Sequence, residues 1–297
     1  MGSENPDKKF FCFGLGFSGQ RVARKLQAKG WSVGGTCREV DTVNSLKSDG
    51  FDAHPFDGET LMQKFDAALD GVTHILLTIP PSSAYGDPVL YHHSQDIARL
   101  ADLEWLGYLS TTGVYGDTGG VLVDETAPIA PTSERSCRRA EADQGWRNLH
   151  ESSGLPVHVF RLPGIYGPGR SALDQVRAGK ARQIVKPDHK FSRIHVDDIA
   201  NVVTASIMKP NPGAIYNLAD NEAAAPAEVT AFACELLGLS PPPLVSFDEA
   251  KDTMSPMALS FWNDNRLIDK SRITKELGVT LEHPTYREGL RAILRTE

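Results

Sequence analysis

The sequence is poor in cysteine, and its few cysteines form no recognisable pattern. Four cysteines occur in 297 residues, with no C-x-x-C pair and no histidine at zinc-finger spacing. This argues against a disulfide-stapled secreted domain and against a structural zinc site. Because unpaired thiols are typical of a reduced compartment, we expect a cytoplasmic protein.

Long apolar segments and an excess of basic residues are also missing. No apolar segment approaches the length of a membrane span, and the first ten residues, MGSENPDKKF, lack the apolar part of a secretory signal. The formal net charge of −7 gives no basic field to attract nucleic acid or an anionic lipid surface. We therefore expect a soluble protein that acts on a small molecule, as a monomer or homodimer, without nucleic-acid or membrane partners.

What the sequence does contain is a regular alternation of short apolar segments with helical patterns. The strand-like segments lie at residues 10–13, 31–36, 51–56, 74–79, 105–110 and 156–162. The helical patterns between them lie at residues 18–30, 42–49, 60–69, 91–104 and 133–152. This alternation predicts an α/β fold with a doubly wound parallel sheet.

The alternation stops near the segment GIYGPGR, and helical patterns predominate after it. We expect a larger domain, residues 1–165, and a smaller, mostly helical lobe, residues 166–297, interleaved with the first. No linker-like or low-complexity segment separates the two, so close packing is expected.

A glycine motif, GLGFSG, directly follows the first strand-like segment. G-x-G-x-x-G between a strand and a helix is typical of a Rossmann domain that binds a dinucleotide. Gly14 permits the tight turn, Gly16 lets the backbone approach the pyrophosphate, and Gly19 lets the helix pack closely on the sheet. Ser18 begins the helical pattern and Phe17 directly precedes it, and the first N–H groups of a helix attract phosphate. The motif predicts that this loop binds NAD or NADP.

The segment GGTCRE, at the end of the second strand, bears on which dinucleotide is bound. NAD sites usually have an Asp or Glu here for the ribose, but Cys37 occupies this position and Arg38 follows it. Without the carboxylate a 2′-phosphate is not repelled, and Arg38 is suited to bind it bidentately. We expect NADP; NAD is the alternative, in which Glu39 would bind the ribose.

Three further segments resemble motifs of a known superfamily: YLSTTGVYGD (108–117), RLPGIYGPGR (161–170) and FSRIHVDDIA (191–200). Together with the glycine loop they resemble the extended and atypical short-chain dehydrogenases/reductases of the NAD-dependent epimerase/dehydratase group. The resemblance covers nearly the whole chain. It implies a Rossmann domain, a smaller lobe that closes a substrate cleft, and a small substrate such as a carbohydrate derivative.

The same resemblance implies which threonines contact the substrate. In the family, a Ser or Thr four residues before the tyrosine of the VYG motif hydrogen-bonds the reacting oxygen. Counting back from Tyr115 gives Thr111 as the catalytic residue, with Thr112 beside it in the substrate site. A hydroxyl there would stabilise negative charge that develops on the oxygen.

The family's acid–base pair, a tyrosine followed four residues later by a lysine, is missing. The corresponding helix, PTSERSCRRAEADQGW, contains neither residue type. The resemblance places Arg135 in the tyrosine position and Arg139 in the lysine position; the alternative register gives Glu134 and Arg138. A guanidinium stays protonated near neutral pH, so Arg135 cannot transfer a proton.

Five further site residues are implied by the resemblance alone. It implies that Thr78, Ile79 and Pro80, which follow the fourth strand, contact the cofactor. It further implies that Arg170 and Arg193 bind an anionic part of the substrate.

The segment RIHVDDIANVV places His195 beside two aspartates, which raises the question of a metal site. An aspartate just before an apolar helical pattern is most simply an N-cap. We therefore expect Asp197 or Asp198 to cap the helix, and we expect no metal.

The expected function is that of an NADP-dependent oxidoreductase or epimerase/dehydratase-like enzyme without the usual Tyr-x-x-x-Lys pair. The alternative is a catalytically silent NAD(P)-binding redox sensor or regulatory protein. The missing tyrosine and lysine favour the sensor, whereas Thr111 and the motifs of the second lobe favour the enzyme. A scaffold without cofactor conflicts with the glycine loop.

Overall fold

The computed structural model describes residues 8–296. The interpretation of the first ten residues therefore lies outside it, apart from residues 8–10. In chain order the strands are β1 (Lys9–Phe13), β2 (Ser32–Cys37), β3 (Asp52–Pro55), β4 (His74–Leu77), β5 (Trp105–Thr111), β6 (Leu122–Val123), β7 (Val157–Leu162), β8 (Gly164–Tyr166), β9 (Gln183–Val185), β10 (Arg193–His195), β11 (Ile215–Asn217), β12 (Leu244–Ser246) and β13 (Leu267–Ile268). The α-helices are α1 (Phe17–Gln27), α2 (Val40–Ser48), α3 (Phe65–Ala68), α4 (Pro88–Ala98), α5 (Glu134–Ser153), α6 (Ala172–Arg177), α7 (Val196–Met208), α8 (Pro226–Leu236), α9 (Phe247–Ala250), α10 (Pro256–Asn263), α11 (Ser271–Leu277) and α12 (Tyr286–Thr296).

A seven-stranded sheet in the order β11-β7-β5-β4-β1-β2-β3 forms the centre of the fold. Each neighbouring pair in it is parallel. The strand order reverses between β1 and β4, and in doubly wound sheets ligands bind outside the carboxyl ends of the strands at this point. The predicted Rossmann-type α/β fold is confirmed.

Apolar residues cover both faces of this sheet, as a parallel sheet requires. On one face, Val22 and Leu26 of α1 pack in a cluster with Val203 of α7. On the other face, Val89 of α4 and Trp146 of α5 lie in a second cluster. None of the helices within residues 8–296 combines the length and the apolar character needed to cross a membrane.

The helical pattern predicted at residues 60–69 is mostly wrong, because only α3 is helical there. The Asp57 side chain accepts the backbone N–H groups of Glu59 and Thr60 and holds this stretch in a turn. The backbone N–H of Met62 donates to Nε2 of the buried His93, at 2.9 Å. Such contacts with side chains elsewhere replace the hydrogen bonds of the first predicted turns.

The later part of the chain builds a smaller apolar cluster from α6, α8 and α12. It also returns to the central sheet, because β11 pairs with β7 and α7 packs beside α1. The two parts therefore share one sheet. The expected boundary between a domain of residues 1–165 and a lobe of residues 166–297 stays a prediction.

Candidate functional site

A cavity of about 620 Å³ opens at the carboxyl ends of β1, β4 and β5. Many of the predicted site residues line it: Gly16, Phe17, Ser18, Thr78, Pro80, Thr111, Thr112, Arg135, Arg139, Arg170 and Arg193. Five others lie outside the lining: Gly14, Gly19, Cys37, Arg38 and Ile79. The structure thus brings residues from distant parts of the sequence around one space.

The glycine loop is fixed by the ends of two neighbouring strands. Gly14 has a φ of +97°, a conformation that favours glycine, and its N–H donates to Oγ1 of Thr36 at 2.9 Å. The backbone of Thr36 accepts the N–H of Leu15 at 2.7 Å. The Thr78 hydroxyl donates to the carbonyl oxygen of Gly14 at 2.5 Å. Thr36 was missed in the sequence, because a threonine in a strand is unremarkable there.

The other two glycines of the motif differ in what surrounds them. A Cβ on Gly19 would lie 2.5 Å from the Gly14 carbonyl oxygen and 2.8 Å from Sγ of Cys12, so α1 packs tightly on β1. A Cβ on Gly16 would meet nothing within 4 Å. Within the described part of the chain, no side chain caps the first turn of α1. Open space beside an uncapped helix N-terminus fits the pyrophosphate of a dinucleotide. Ile79 packs beneath the loop, its Cγ1 2.9 Å from a Cβ placed on Gly14.

The end of β2 presents a buried thiol followed by two exposed charged side chains. Cys37 is buried, its thiol donates to the carbonyl oxygen of Leu15 at 3.9 Å, and burial raises its pKa. Arg38 and Glu39 are both exposed just beyond the strand. Arg38, predicted to bind the 2′-phosphate of NADP, and Glu39, the alternative partner for the ribose of NAD, therefore lie at the solvent-facing edge of the site.

Thr111 and Thr112 stand where β5 ends. Oγ1 of Thr111 accepts the N–H of Gly113 at 3.1 Å, which leaves the hydroxyl proton available to another acceptor. Thr112 is buried and begins a short 3₁₀ turn that ends at Tyr115. The hydroxyl of Thr111 can therefore donate a hydrogen bond into the cavity.

A buried polar network lies behind Thr111. The Ser110 hydroxyl donates to the Asp143 carboxylate at 2.8 Å, and Arg161 donates to the same carboxylate at 3.0 and 3.2 Å. Arg161 also donates to the Tyr115 hydroxyl, which donates to Oδ1 of Asn217 at 2.8 Å. Sequence analysis missed this network; an arginine within the apolar strand VHVFRL was its one visible sign. It anchors β5, β7, β11 and α5 to one another.

Helix α5 presents the predicted arginine pair to the cavity. Arg135 and Arg139 line it, whereas Glu134 is 95% exposed and its carboxylate lies 3.7 Å from Arg138 outside the lining. The guanidinium of Arg135 lies 5.5 Å from the ring centre of Phe261. Although part of this side chain is exposed, desolvation and the charge of Arg139 lower its pKa.

The opposite wall comes from the later part of the chain. Arg170 lies over the ring of Phe17 at 5.5 Å. Nη1 of Arg193 donates to the carbonyl oxygens of Phe191 and Ala224 at 2.8 and 2.9 Å, and burial lowers the pKa of this guanidinium. Helix α10 completes the wall with Ala258, Phe261 and Trp262. No motif in the sequence marked α10 as part of the site.

The expected N-cap at Asp197 or Asp198 is wrong. His195 caps α7, because its Nδ1 accepts the N–H of Asp197 at 3.2 Å. Asp198 is buried and accepts two backbone N–H groups from the segment before α12, at 2.7 and 3.1 Å. His195, Asp197 and His283 each offer a ligand atom within 4.8 Å of the others, but Arg21 lies 3.5 Å from the Asp197 carboxylate. The expected lack of a metal stays a prediction.

Comparison with known proteins places this site in a family. Residues 14–219 match the model of the NAD dependent epimerase/dehydratase family. The chain is 31% identical over 289 residues to Protein YeeZ of Escherichia coli K12, covering 93% of this chain and 97% of that protein. It is 31% identical over 202 residues to a dTDP-glucose 4,6-dehydratase of Neisseria meningitidis serogroup B, covering 62% of this chain and 55% of the dehydratase.

Two solved structures share the fold over nearly the full length. One is a functionally unknown conserved protein from Silicibacter pomeroyi, with 44% identity, 97% of this chain and 99% of that chain covered, and a TM-score of 0.89. The other is the dTDP-glucose 4,6-dehydratase of Bacillus anthracis in complex with NAD. Its identity is 19%, with 97% of this chain and 96% of that chain covered, and its TM-score is 0.77.

Proposed function

The chain belongs to the NAD-dependent epimerase/dehydratase family, and we propose that it is an enzyme that transfers a hydride between NADP and a small-molecule substrate. One observation carries this proposal. Gly16 of the glycine loop and Thr111 at the end of β5 line the same cavity. A dinucleotide on the loop would share that space with any molecule that reaches Thr111.

The preference for NADP rests on the end of β2. Cys37 takes the place of the acidic residue that holds the ribose in NAD sites, and Arg38 is exposed beside it. A guanidinium there favours the added negative charge of a 2′-phosphate. Arg38 is the one residue that we propose to bind the 2′-phosphate. If NAD is used instead, Glu39 is the proposed partner of the ribose.

Thr111 is the proposed catalytic residue. When bound, the nicotinamide would supply the hydride that reduces a carbonyl carbon, or accept a hydride from the alcohol in the reverse direction. The Thr111 hydroxyl donates to the carbonyl oxygen and stabilises the negative charge that develops on it. No tyrosine lines the cavity within the described residues, and the guanidinium of Arg135 keeps its proton, so we propose that the proton that completes the alcohol comes from water or from another lining group such as Lys190.

Thr112, Arg170 and Arg193 are proposed to bind the substrate, because they line the cavity around Thr111. We propose that Thr78, Pro80, Phe17 and Ser18 contact the cofactor from the side of the glycine loop.

Reduction of carbonyl compounds by NADPH tests this function. A panel of small aldehydes and ketones is followed by the loss of reduced-nicotinamide absorbance, with dTDP-glucose tested separately for dehydration. Thr111→Val should lower the rate at least tenfold, as loss of a polarising donor does in other enzymes by about 10²–10³. Thr126→Val, which removes an exposed hydroxyl bonded to Asp124, serves as the matched control.

The alternative is a cofactor-binding sensor without turnover, favoured by the lack of a tyrosine in the cavity lining. NADPH binding that leaves every substrate unchanged, with Thr111→Val identical to wild type, would support the sensor and contradict the enzyme.

A further inference from the structure

The charged side chains of the cavity are almost all positive. Among residues 8–296, one carboxylate, that of Asp264, and six cationic side chains line it; the six are Arg135, Arg139, Arg170, Lys190, Arg193 and Arg266. The whole chain carries a formal net charge of −7, so this excess is local and does not follow from composition. A concave surface of one charge concentrates ligands of the opposite sign.

Asp264 offsets the charge of Arg266 alone, because both of its oxygens already have partners. One oxygen lies 2.8 Å from Nη1 of Arg266, and the other accepts the Thr132 hydroxyl at 2.6 Å. Arg193 is likewise occupied in part by two backbone carbonyl groups. Arg139 donates to the carbonyl oxygen of Leu109, so among the described residues the lining cations whose side chains have no hydrogen-bonded partner are Arg135, Arg170 and Lys190.

Arg135 and Arg170 pack against aromatic rings and not against carboxylates. Arg135 lies over Phe261 and Arg170 over Phe17, each at 5.5 Å. Within residues 8–296 Arg135 makes no hydrogen bond or ion pair, and its pKa is lowered first by desolvation and then by repulsion from Arg139 and Arg170. A stacked guanidinium keeps its planar fork of donors free for an oxyanion.

We propose that Arg135, Arg139 and Arg170 form a subsite for an oxyanion of the substrate, a phosphate or a carboxylate, beside Thr111. The inference rests on the proposed function only in taking the bound molecule to be the substrate. Arg135 and Arg139 are on α5, while the glycine loop with its helix N-terminus receives the cofactor's pyrophosphate and Arg38 stands outside the cavity. In the register that the resemblance gives, Arg135 and Arg139 take the positions of the missing acid–base pair, and in this proposal they bind the oxyanion instead of exchanging protons.

Thermal unfolding in the presence of inorganic phosphate, and separately of malonate, tests the subsite. Each is titrated against sodium chloride at equal ionic strength, with and without saturating NADPH. We expect a saturable rise in Tm that persists with NADPH bound. Arg135→Gln should weaken the apparent affinity about tenfold, the loss expected for a charge-assisted hydrogen bond, while Arg135→Lys should retain most of it.

Arg138→Gln is the matched control, since Arg138 is on the same helix but pairs with Glu134 outside the cavity. The Arg138→Gln variant should show the same rise in Tm with phosphate and malonate as wild type does. A response to phosphate alone identifies a phosphoryl group, and a response to malonate alone a carboxylate. Equal responses of wild type, Arg135→Gln and Arg138→Gln would overturn the subsite, as would competition by NADPH, which would assign the arginines to the cofactor.

The two proposals fail separately. If NADPH does not bind, the cofactor-free titrations still decide whether the oxyanion subsite exists, and the proposed function falls alone. If NADPH binds and carbonyl compounds are reduced but neither anion acts through Arg135, the subsite falls alone.

Discussion

The Thr78 hydroxyl, just beyond β4, donates a 2.5 Å hydrogen bond to the carbonyl oxygen of Gly14. Gly14 has a φ of +97°, a conformation that favours glycine. The bond joins the glycine loop to the neighbouring strand at the point where the strand order reverses. The loop is thereby held in place before any ligand arrives, which reduces the entropy lost on binding.

Replacing this hydroxyl should weaken cofactor binding. Thr78→Val removes one hydrogen bond with a net contribution of about 1 kcal/mol and leaves the loop freer to move. We expect a several-fold lower affinity for NADPH by fluorescence titration. Thr73→Val makes the same change at the other end of β4, where the hydroxyl bonds the Lys9 carbonyl group. Equal affinities for the two variants would contradict the prediction.

Gly19 and Gly16 should respond in opposite ways to the same substitution. Gly19→Ala places a Cβ 2.5 Å from the Gly14 carbonyl oxygen, so α1 must shift, and unfolding free energy should fall by about 1–3 kcal/mol. Gly16→Ala meets no protein atom within 4 Å and should unfold as wild type does. Urea denaturation of both variants measures the difference. A Gly19→Ala protein as stable as Gly16→Ala would show that the helix and strand are less tightly packed.

Asp143 should matter far more to stability than an exposed aspartate does. Asp143→Asn neutralises one member of a fully buried pair and leaves the Arg161 charge uncompensated, which costs about 3–5 kcal/mol. Asp49→Asn is the control, because Asp49 pairs with Arg24 at the surface and such pairs contribute about 1 kcal/mol or less. Comparable losses of unfolding free energy would contradict the assignment of the buried network.

The positions of Asp143 and Arg161 illustrate what the sequence cannot reveal. The glycine motif and the alternation of strands predict the sheet and the loop, because local geometry and apolar periodicity determine both. Asp143 gives no such sign, since it falls on a polar-looking helix and is buried only through its pairing with Arg161 on β7. Partners that are distant in sequence become visible only in three dimensions.

The N-cap of α7 is a second feature that the local sequence does not predict. The two aspartates satisfy the local rule for an N-cap, yet His195 takes that role. Asp198 instead receives backbone N–H groups from the segment before α12, a contact that no local pattern encodes. Likewise, Phe261 and Trp262 enter the cavity lining from a helix that the sequence did not connect with the site.

Stability should fall on acidification, and His158 should contribute to the fall. Burial against Trp105 lowers the His158 pKa to about 4, while its Nε2 accepts the N–H of Asn211 at 2.9 Å. Because the unfolded chain then binds a proton more readily than the folded one, unfolding free energy decreases as pH falls from about 6.5 toward 4.

His158→Gln should be less stable than wild type at pH 7.5 but should show a shallower dependence on pH. The largest share His158 can contribute is about 3 kcal/mol, from the size of its pKa shift. Urea denaturation at pH 7.5 and pH 5 measures both slopes. An unchanged slope in the variant would show that His158 takes up its proton without unfolding.

The central claim is that the glycine loop binds a nicotinamide dinucleotide and that the end of β2 selects NADP. Parallel fluorescence titrations with NADPH and NADH, on wild type and Arg38→Ala, test it most directly. The account predicts tighter binding of NADPH than of NADH by wild type, and a loss of that difference in Arg38→Ala. Equal affinities that the substitution leaves unchanged would contradict the NADP assignment, and no binding of either dinucleotide would contradict the cofactor site itself.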